Sequence, residues 1–236
     1  MNLSIDLSCF FDGSLGYDLK STEDYKKNLE ICNLASEKLI LEIKNKNNEI
    51  VNSFSWDYQN HTKIERDKII KKKNQLVIGI GGSSAGAKAI SMYLGNNVFF
   101  FDNYDPLYIS KFFQNSNVKN FTIYVISKSG NTFETLAMLN LTYQHLLKIS
   151  NKADIAKNMI VITEDSENLL SNFAKKKGLK IVTHNKKIGG RYSVFSETAM
   201  MLFDLDAKKI SDSAESVIPK LIENKQDDHC NPVINA

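Results

Sequence analysis

From residue 75 onward, apolar residues cluster in short β-branched and aromatic runs, and each run leads into a segment with helical spacing. Leu76-Val77-Ile78, Val98 to Phe101, Phe121 to Ser127, Met159 to Thr163 and Lys180 to Thr183 read as strands. The intervening segments Ala85 to Ile90, Pro106 to Phe113, Thr132 to Lys148 and Glu167 to Lys177, the last ended by Gly178, read as helices. A further helix is expected from Ser193 to Phe203, after a loop from Lys186 to Arg191. Ahead of residue 75 the pattern differs. Met1 to Lys20 is irregular, with Gly13 and Gly16 as breakers. Ser21-Thr22-Glu23-Asp24 looks like a helix start. Leu29, Cys32, Leu39, Ile43 and Ile50 then fall on one face of a long amphipathic helix reaching about Val51. Ser53 to Tyr58, with Trp56, reads as a loop, and Lys63 to Lys73 as a second helix whose Lys71-Lys72-Lys73 end is solvated.

Strands alternating with helices imply an α/β fold with a parallel sheet covered on both faces. Five strands fit, each connection crossing over right-handed. The expected architecture is a doubly wound sheet of order 2-1-3-4-5, with residues 1–74 as a helical segment packed on a domain formed by residues 75–236.

Composition narrows the class. With 42% hydrophobic and 24% charged residues, the chain has an ordinary soluble balance. A net charge of +3 is too slight to argue for nucleic acid or an anionic membrane. Its longest apolar run falls far short of the ~20 residues a membrane span needs. The start, MNLSIDLSCFFDG, lacks the basic and apolar regions of a signal peptide. Cys9, Cys32 and Cys230 are widely spaced and odd in number, which suits a reducing cytoplasm and argues against a disulfide framework or a zinc site. No metal or cofactor is expected.

The candidate chemistry lies in three strand-following loops. Gln75 to Ile90, QLVIGIGGSSAGAKAI, is a strand, a glycine turn and a helix start. Its glycines let backbone approach a ligand, and the helix N-terminus favours an anion. Ser83 and Ser84 add hydroxyl donors. The plain alternative is a tight strand–helix connection without a ligand. Phe121 to Ser127 likewise runs into Ser127-Lys128-Ser129-Gly130-Asn131-Thr132 and a helix. Lys128 would meet a phosphate as a compact charge while hydroxyls and N–H groups wrap its oxygens. Here the alternative is a helix cap, by Asn131 or Thr132. In the expected sheet these two loops follow neighbouring strands at the switch point and face one pocket. The third motif, Ile188-Gly189-Gly190-Arg191-Tyr192-Ser193-Val194-Phe195-Ser196, follows the last strand. Arg191 offers fixed cationic donors suited to an enediolate, or else braces a carboxylate or carbonyl.

In this order, GIGGSSAGAKA, SKSGNTFET and GGRYSVFS resemble the phosphoglucose isomerase family, and more closely its first sugar-isomerase (SIS) domain. GGRYSVFS is the discriminating part, and the resemblance covers roughly Leu76 to Phe203. It implies cofactor-free interconversion of glucose 6-phosphate and fructose 6-phosphate, in glycolysis and gluconeogenesis, through a cis-enediol. It also implies a homodimer for the full-length enzyme. By the resemblance, Ser127, Lys128, Ser129 and Thr132 bind the phosphate, Gly82 and Ser83 line the sugar side, and Arg191 stabilises the enediolate. Ala85 departs from a leucine common in the family. The family's base is a glutamate on a helix downstream of the arginine motif, and no such segment is found. Its ring-opening histidine and C-terminal lysine come later, with a second SIS domain, and neither His184 nor His229 sits in a matching motif. The expectation is therefore the phosphate-binding half of an isomerase. A non-catalytic sugar-phosphate-binding module, such as a regulator's sensor domain, is the alternative. A dinucleotide-binding fold is weaker, since Asp102 is the one candidate for its acidic residue.

Overall fold

The computed structural model describes residues 21–222. The irregular stretch with Gly13 and Gly16, and Cys9, Cys230 and His229, lie outside these. The chain divides into two compact units, one of them Ser53–Lys208 and the other built from residues on either side of it.

In the flanking unit, helix α1 (Glu23–Lys44) starts at Thr22, whose hydroxyl accepts the Tyr25 N–H at 3.2 Å, with Glu23 and Asp24 in the first turn. The single long helix expected to Val51 is interrupted. Lys46 takes a left-handed φ of 54°, and a short α2 (Glu49–Asn52) follows. The polar run Lys44 to Asn48 supplies no apolar residue to reward a continuous helix. Cys32 is a half-buried free thiol.

The unit Ser53–Lys208 begins with α3 (Trp56–Asp67), capped by the Ser55 hydroxyl. It starts earlier than the apolar spacing predicts and ends before Lys71–Lys73. The strands are β1 (Asn74–Ile78), β2 (Val98–Phe101), β3 (Phe121–Ile126), β4 (Met159–Glu164) and β5 (Lys180–His184). Between them lie α4 (Gly82–Leu94), α5 (Pro106–Asn115), α6 (Phe133–Ile149), α7 (Lys152–Asn158) and α8 (Leu169–Lys177). Helix α7 was not predicted; Asn151 caps it and Ile155 is its buried anchor. All strand pairs are parallel and their order is β2-β1-β3-β4-β5, the expected doubly wound sheet.

Alternation along the strands divides the core in two. Leu76, Ile78, Ile123, Val125, Met159 and Val161 point to one face, where Phe112, Met138, Leu139, Tyr143 and Leu170 cover them. Val77, Tyr124, Ile126, Ile160 and Ile162 point to the other and are equally buried. That second face borders the chain after β5. There a 3-10 turn (Gly190–Tyr192) follows the loop, and the expected helix from Ser193 to Phe203 is reduced to a short α9 (Glu197–Met200). The cause is local: the hydroxyls of Ser196 and Thr198 both donate to the Ser193 carbonyl, at 2.7 and 2.8 Å, competing with a helical ladder. Helix α10 (Ala207–Ile222) ends the described residues.

Irregular buried backbone needs donors from elsewhere. Arg66, 4% exposed, donates to the carbonyls of Phe203 at 2.6 Å, Leu205 at 3.3 Å and Met200 at 3.4 Å. The Gln59 amide donates to Phe195 O at 2.7 Å and Ser53 O at 2.6 Å. Lys71, beyond the helix and not a solvated helix end, donates to Leu202 O at 3.2 Å, and burial pushes its ammonium down to about 8. Removing the guanidinium in Arg66→Met should strand these acceptors. We expect a loss of roughly 3 kcal/mol, since bonds to charged groups are worth about 1.5–3 each and a deserted buried acceptor adds a desolvation penalty. Urea unfolding should show it, and Lys63→Ala, which breaks an exposed pair with Asp67, should leave the midpoint unchanged.

Candidate functional site

Strands β1 and β3 are neighbours in register, Ile78 opposite Val125, so the loops that follow them leave from the same end of the sheet. The order reverses between these two strands, which makes this end the switch point of the fold.

The first loop enters α4, whose N-terminus has no side-chain cap. Ser84 is buried and donates to the Gly81 carbonyl at 3.2 Å, whereas Gly82 and Ser83 are half-buried and Ala85 is exposed. Gly82 is required for contact. A Cβ there would stand 2.3 Å from the Gly190 carbonyl carbon and 2.7 Å from the Arg191 nitrogen. The third motif therefore lies against the first, although β3 and β4 separate their parent strands. Ser193 completes the junction, its hydroxyl donating to Gly190 O at 2.7 Å.

The second loop is held from inside. Ser127 is 2% exposed, and its hydroxyl shares a hydrogen bond with that of Thr132 at 3.0 Å while accepting the Gly130 N–H at 3.2 Å. The Lys128 carbonyl accepts from the Glu164 N–H at 3.1 Å and the Thr163 hydroxyl at 3.2 Å, fixing the backbone while the side chain stays half-buried. Ser129 is exposed. Thr132 is the N-cap residue of α6, but its side chain makes no capping bond. Asn131 caps a different helix, accepting the Leu169 N–H of α8 at 3.0 Å. The helix-cap alternative for this motif thus fails for α6, and the first-turn N–H groups of α4 and α6 lack side-chain acceptors.

Asn168 was missed by the sequence reading. It caps α8 through the Ser171 N–H at 2.8 Å and lies under Gly130, which adopts φ +65°. A Cβ on Gly130 would be 1.9 Å from the Asn168 Oδ1. An Asn before a helical run announces the cap, but nothing local announces what lies above it. Arg191 is exposed and, among the described residues, pairs with no carboxylate. Asp102, the acid a dinucleotide-binding fold would use, is engaged by Lys88 of α4 at 2.8 Å. Of the nearby acids, Glu134 is half-buried in the first turn of α6, Glu164 ends β4, and Glu197 is buried between Tyr58 and His184. No helix among the described residues is long and apolar enough to cross a membrane.

A five-stranded parallel sheet of order 2-1-3-4-5 with three polar loops gathered at its carboxyl end defines an α/β domain of the SIS type. The phosphoglucose isomerase family profile matches residues 38–205, and the chain belongs to that family. Among curated relatives, it is 33% identical over 157 residues to a probable glucose-6-phosphate isomerase of Methanococcus maripaludis, spanning 61% of this chain and 35% of that protein. To the glucose-6-phosphate isomerase of Mycoplasmoides gallisepticum it is 29% identical over 234 residues, spanning 90% of this chain and 54% of the other. The chain thus spans about a third to a half of the length of these relatives. A solved hypothetical protein from Thermus thermophilus shares the fold, with a TM-score of 0.70 at 20% identity over 90% of this chain and 53% of that one.

The loop junction makes a direct expectation. Gly82→Ala must push the Gly190–Arg191 backbone away, because the obstructing atoms are main chain and not a flexible tip. Overpacking of this kind costs about 1–3 kcal/mol. Denaturant unfolding should read that loss, and Gly130→Ala should do the same by displacing the hydrogen-bonded Asn168.

Proposed function

We propose that this chain binds a phosphorylated sugar and supplies the phosphate-binding part of an isomerase interconverting glucose 6-phosphate and fructose 6-phosphate. The carrying observation is the packing of Gly82 against Gly190 and Arg191, beside a lysine- and hydroxyl-bearing loop on the next strand. Membership of the phosphoglucose isomerase family supports the choice of substrate.

In this reading the phosphate sits at the uncapped start of α6. Lys128 provides charge, Ser129 and Thr132 provide hydroxyls, and Ser127 acts from beneath by holding Thr132. First-turn N–H groups and the helix dipole favour the same anion. Gly82 and Ser83 line the sugar side. Transfer of a proton between C1 and C2 leaves negative charge on an enediolate, and the Arg191 guanidinium is the group offered to that charge. The base is a separate matter. General-base catalysis needs a group within hydrogen-bond reach of the moving proton. Glu197, the most buried of the nearby acids, accepts from Tyr58 at 2.6 Å and meets His184 at 3.1 Å, so its role is structural in this reading. The acid–base groups then come from outside the three motifs, in a cytoplasmic homodimer of the full-length enzyme.

Calorimetry tests the ligand. Glucose 6-phosphate should bind and glucose should not, and Lys128→Ala should weaken the phosphorylated sugar by about tenfold or more, the equivalent of one charge-assisted hydrogen bond. Equal affinity for both sugars would remove the phosphate assignment. A coupled assay on this 236-residue chain should find turnover at least ~10²-fold below a full-length isomerase. Turnover near that of a full-length isomerase would overturn this assignment of the base, and Glu134 would then be the first residue to mutate.

A further inference from the structure

His184 ends β5 and is 1% exposed. Its two ring nitrogens reach two different points of the chain that carries Arg191. Nε2 lies 3.1 Å from the carbonyl of Ile188, three residues before Arg191. Nδ1 lies 3.1 Å from Oε2 of Glu197, six residues after it. The other carboxylate oxygen of Glu197 accepts the Tyr58 hydroxyl of α3 at 2.6 Å. One imidazole thus closes the base of the Arg191 loop, anchored to a helix from the start of the unit.

The chemistry of the partners fixes the direction of these bonds. A carbonyl oxygen only accepts. The Glu197 carboxyl is opposed by burial, yet the His184 and Tyr58 hydrogen bonds outweigh it and hold the group below its usual range, so it too accepts. A ring N–H directed at Glu197 meets a carboxylate, so that buried contact is a charge-assisted one. The loop it closes is short and contains Gly189 and Gly190; Gly82 and the Ser193 hydroxyl hold its far side, and His184 holds its base. Ile188, at its start, is wholly buried.

We propose that His184, braced by Glu197 and Tyr58, is a positioning residue that holds Arg191 where an enediolate forms. It touches no substrate. It acts by restricting the loop, so its contribution is spent on the charged intermediate that Arg191 meets and not on the phosphate, which the loop after β3 holds. The proposal rests on the reading of Arg191 given above.

The test compares two ligands on the 236-residue chain by calorimetry: glucose 6-phosphate, and 5-phosphoarabinonate, whose carboxylate stands in for the enediolate. His184→Leu should weaken the sugar acid ~10-fold, the worth of one charge-assisted bond, and leave glucose 6-phosphate within about twofold. In an Arg191→Ala background the same change should add nothing further. Amide exchange at Ile188, Tyr192 and Ser193, all hydrogen-bonded within the loop, should speed up, while the Gly130 amide should not. Tyr58→Phe and Glu197→Gln are gentler variants that should shift the same readouts in the same direction, and they decide the matter if His184→Leu does not fold. Equal weakening of both ligands, or unchanged exchange in the loop, would overturn the positioning role. If the unaltered chain shows no preference for the sugar acid and Arg191→Ala has no effect, the role given to Arg191 fails. The exchange measurement then still reports whether His184 restrains the loop.

Discussion

The structure depends on the satisfaction of buried carbonyls along the irregular chain after β5. That segment delivers Arg191 to the head of α4 and then covers one face of the sheet without a long helix to pair its own backbone. Each buried, unpaired acceptor would cost about 1–3 kcal/mol, so donors must arrive from elsewhere. They come chiefly from α3: the Arg66 guanidinium to the carbonyls of Phe203 and Leu205 and the Gln59 amide to that of Phe195, while the Tyr58 hydroxyl donates to the Glu197 carboxylate. A helix that precedes the sheet in sequence thus sets the geometry of a loop that follows it.

The same economy shapes the ligand end. Helices α4 and α6 begin without side-chain caps, although serines stand at the start of α4 and serine, threonine and asparagine at that of α6. Their side chains are used otherwise: Ser84 for the Gly81 carbonyl, Thr132 for Ser127, and Asn131 for the neighbouring α8. The first-turn N–H groups of α6, without a side-chain acceptor, are what an anion requires, and they stand beside Lys128 on a backbone pinned by β4. A loop fixed through its backbone can leave its side chains and first-turn donors for a ligand.

Much of this was legible in the order of residues. The strands are short, apolar and β-branched, and continuous runs of this kind suit strands buried on both faces of a parallel sheet. A parallel sheet with right-handed crossovers followed from strand–helix alternation, and the glycine-rich turns marked the ends of β1 and β3. Glycine in a loop also announces close approach, though not what approaches: Gly82 and Gly190 are neighbours only in the folded chain.

Tertiary structure alone decided the polar parts. Gln59, Thr62 and Arg66, with Tyr58 half-buried beside them, form a polar stripe on α3 that apolar spacing reads as loop and charged surface. A buried arginine or glutamine differs from an exposed one only by its partners, and these lie more than 130 residues away. The helix expected at Ser193 failed for a related reason, because hydroxyl-to-carbonyl bonds there win over propensity once the segment is packed. His184 shows the limit most plainly. As a letter at the end of a strand it is one more buried residue. Only the fold sets a carbonyl against one of its nitrogens and a carboxylate against the other, because hydrogen bonds depend on where acceptors lie in space, and periodicity records only which residues avoid water.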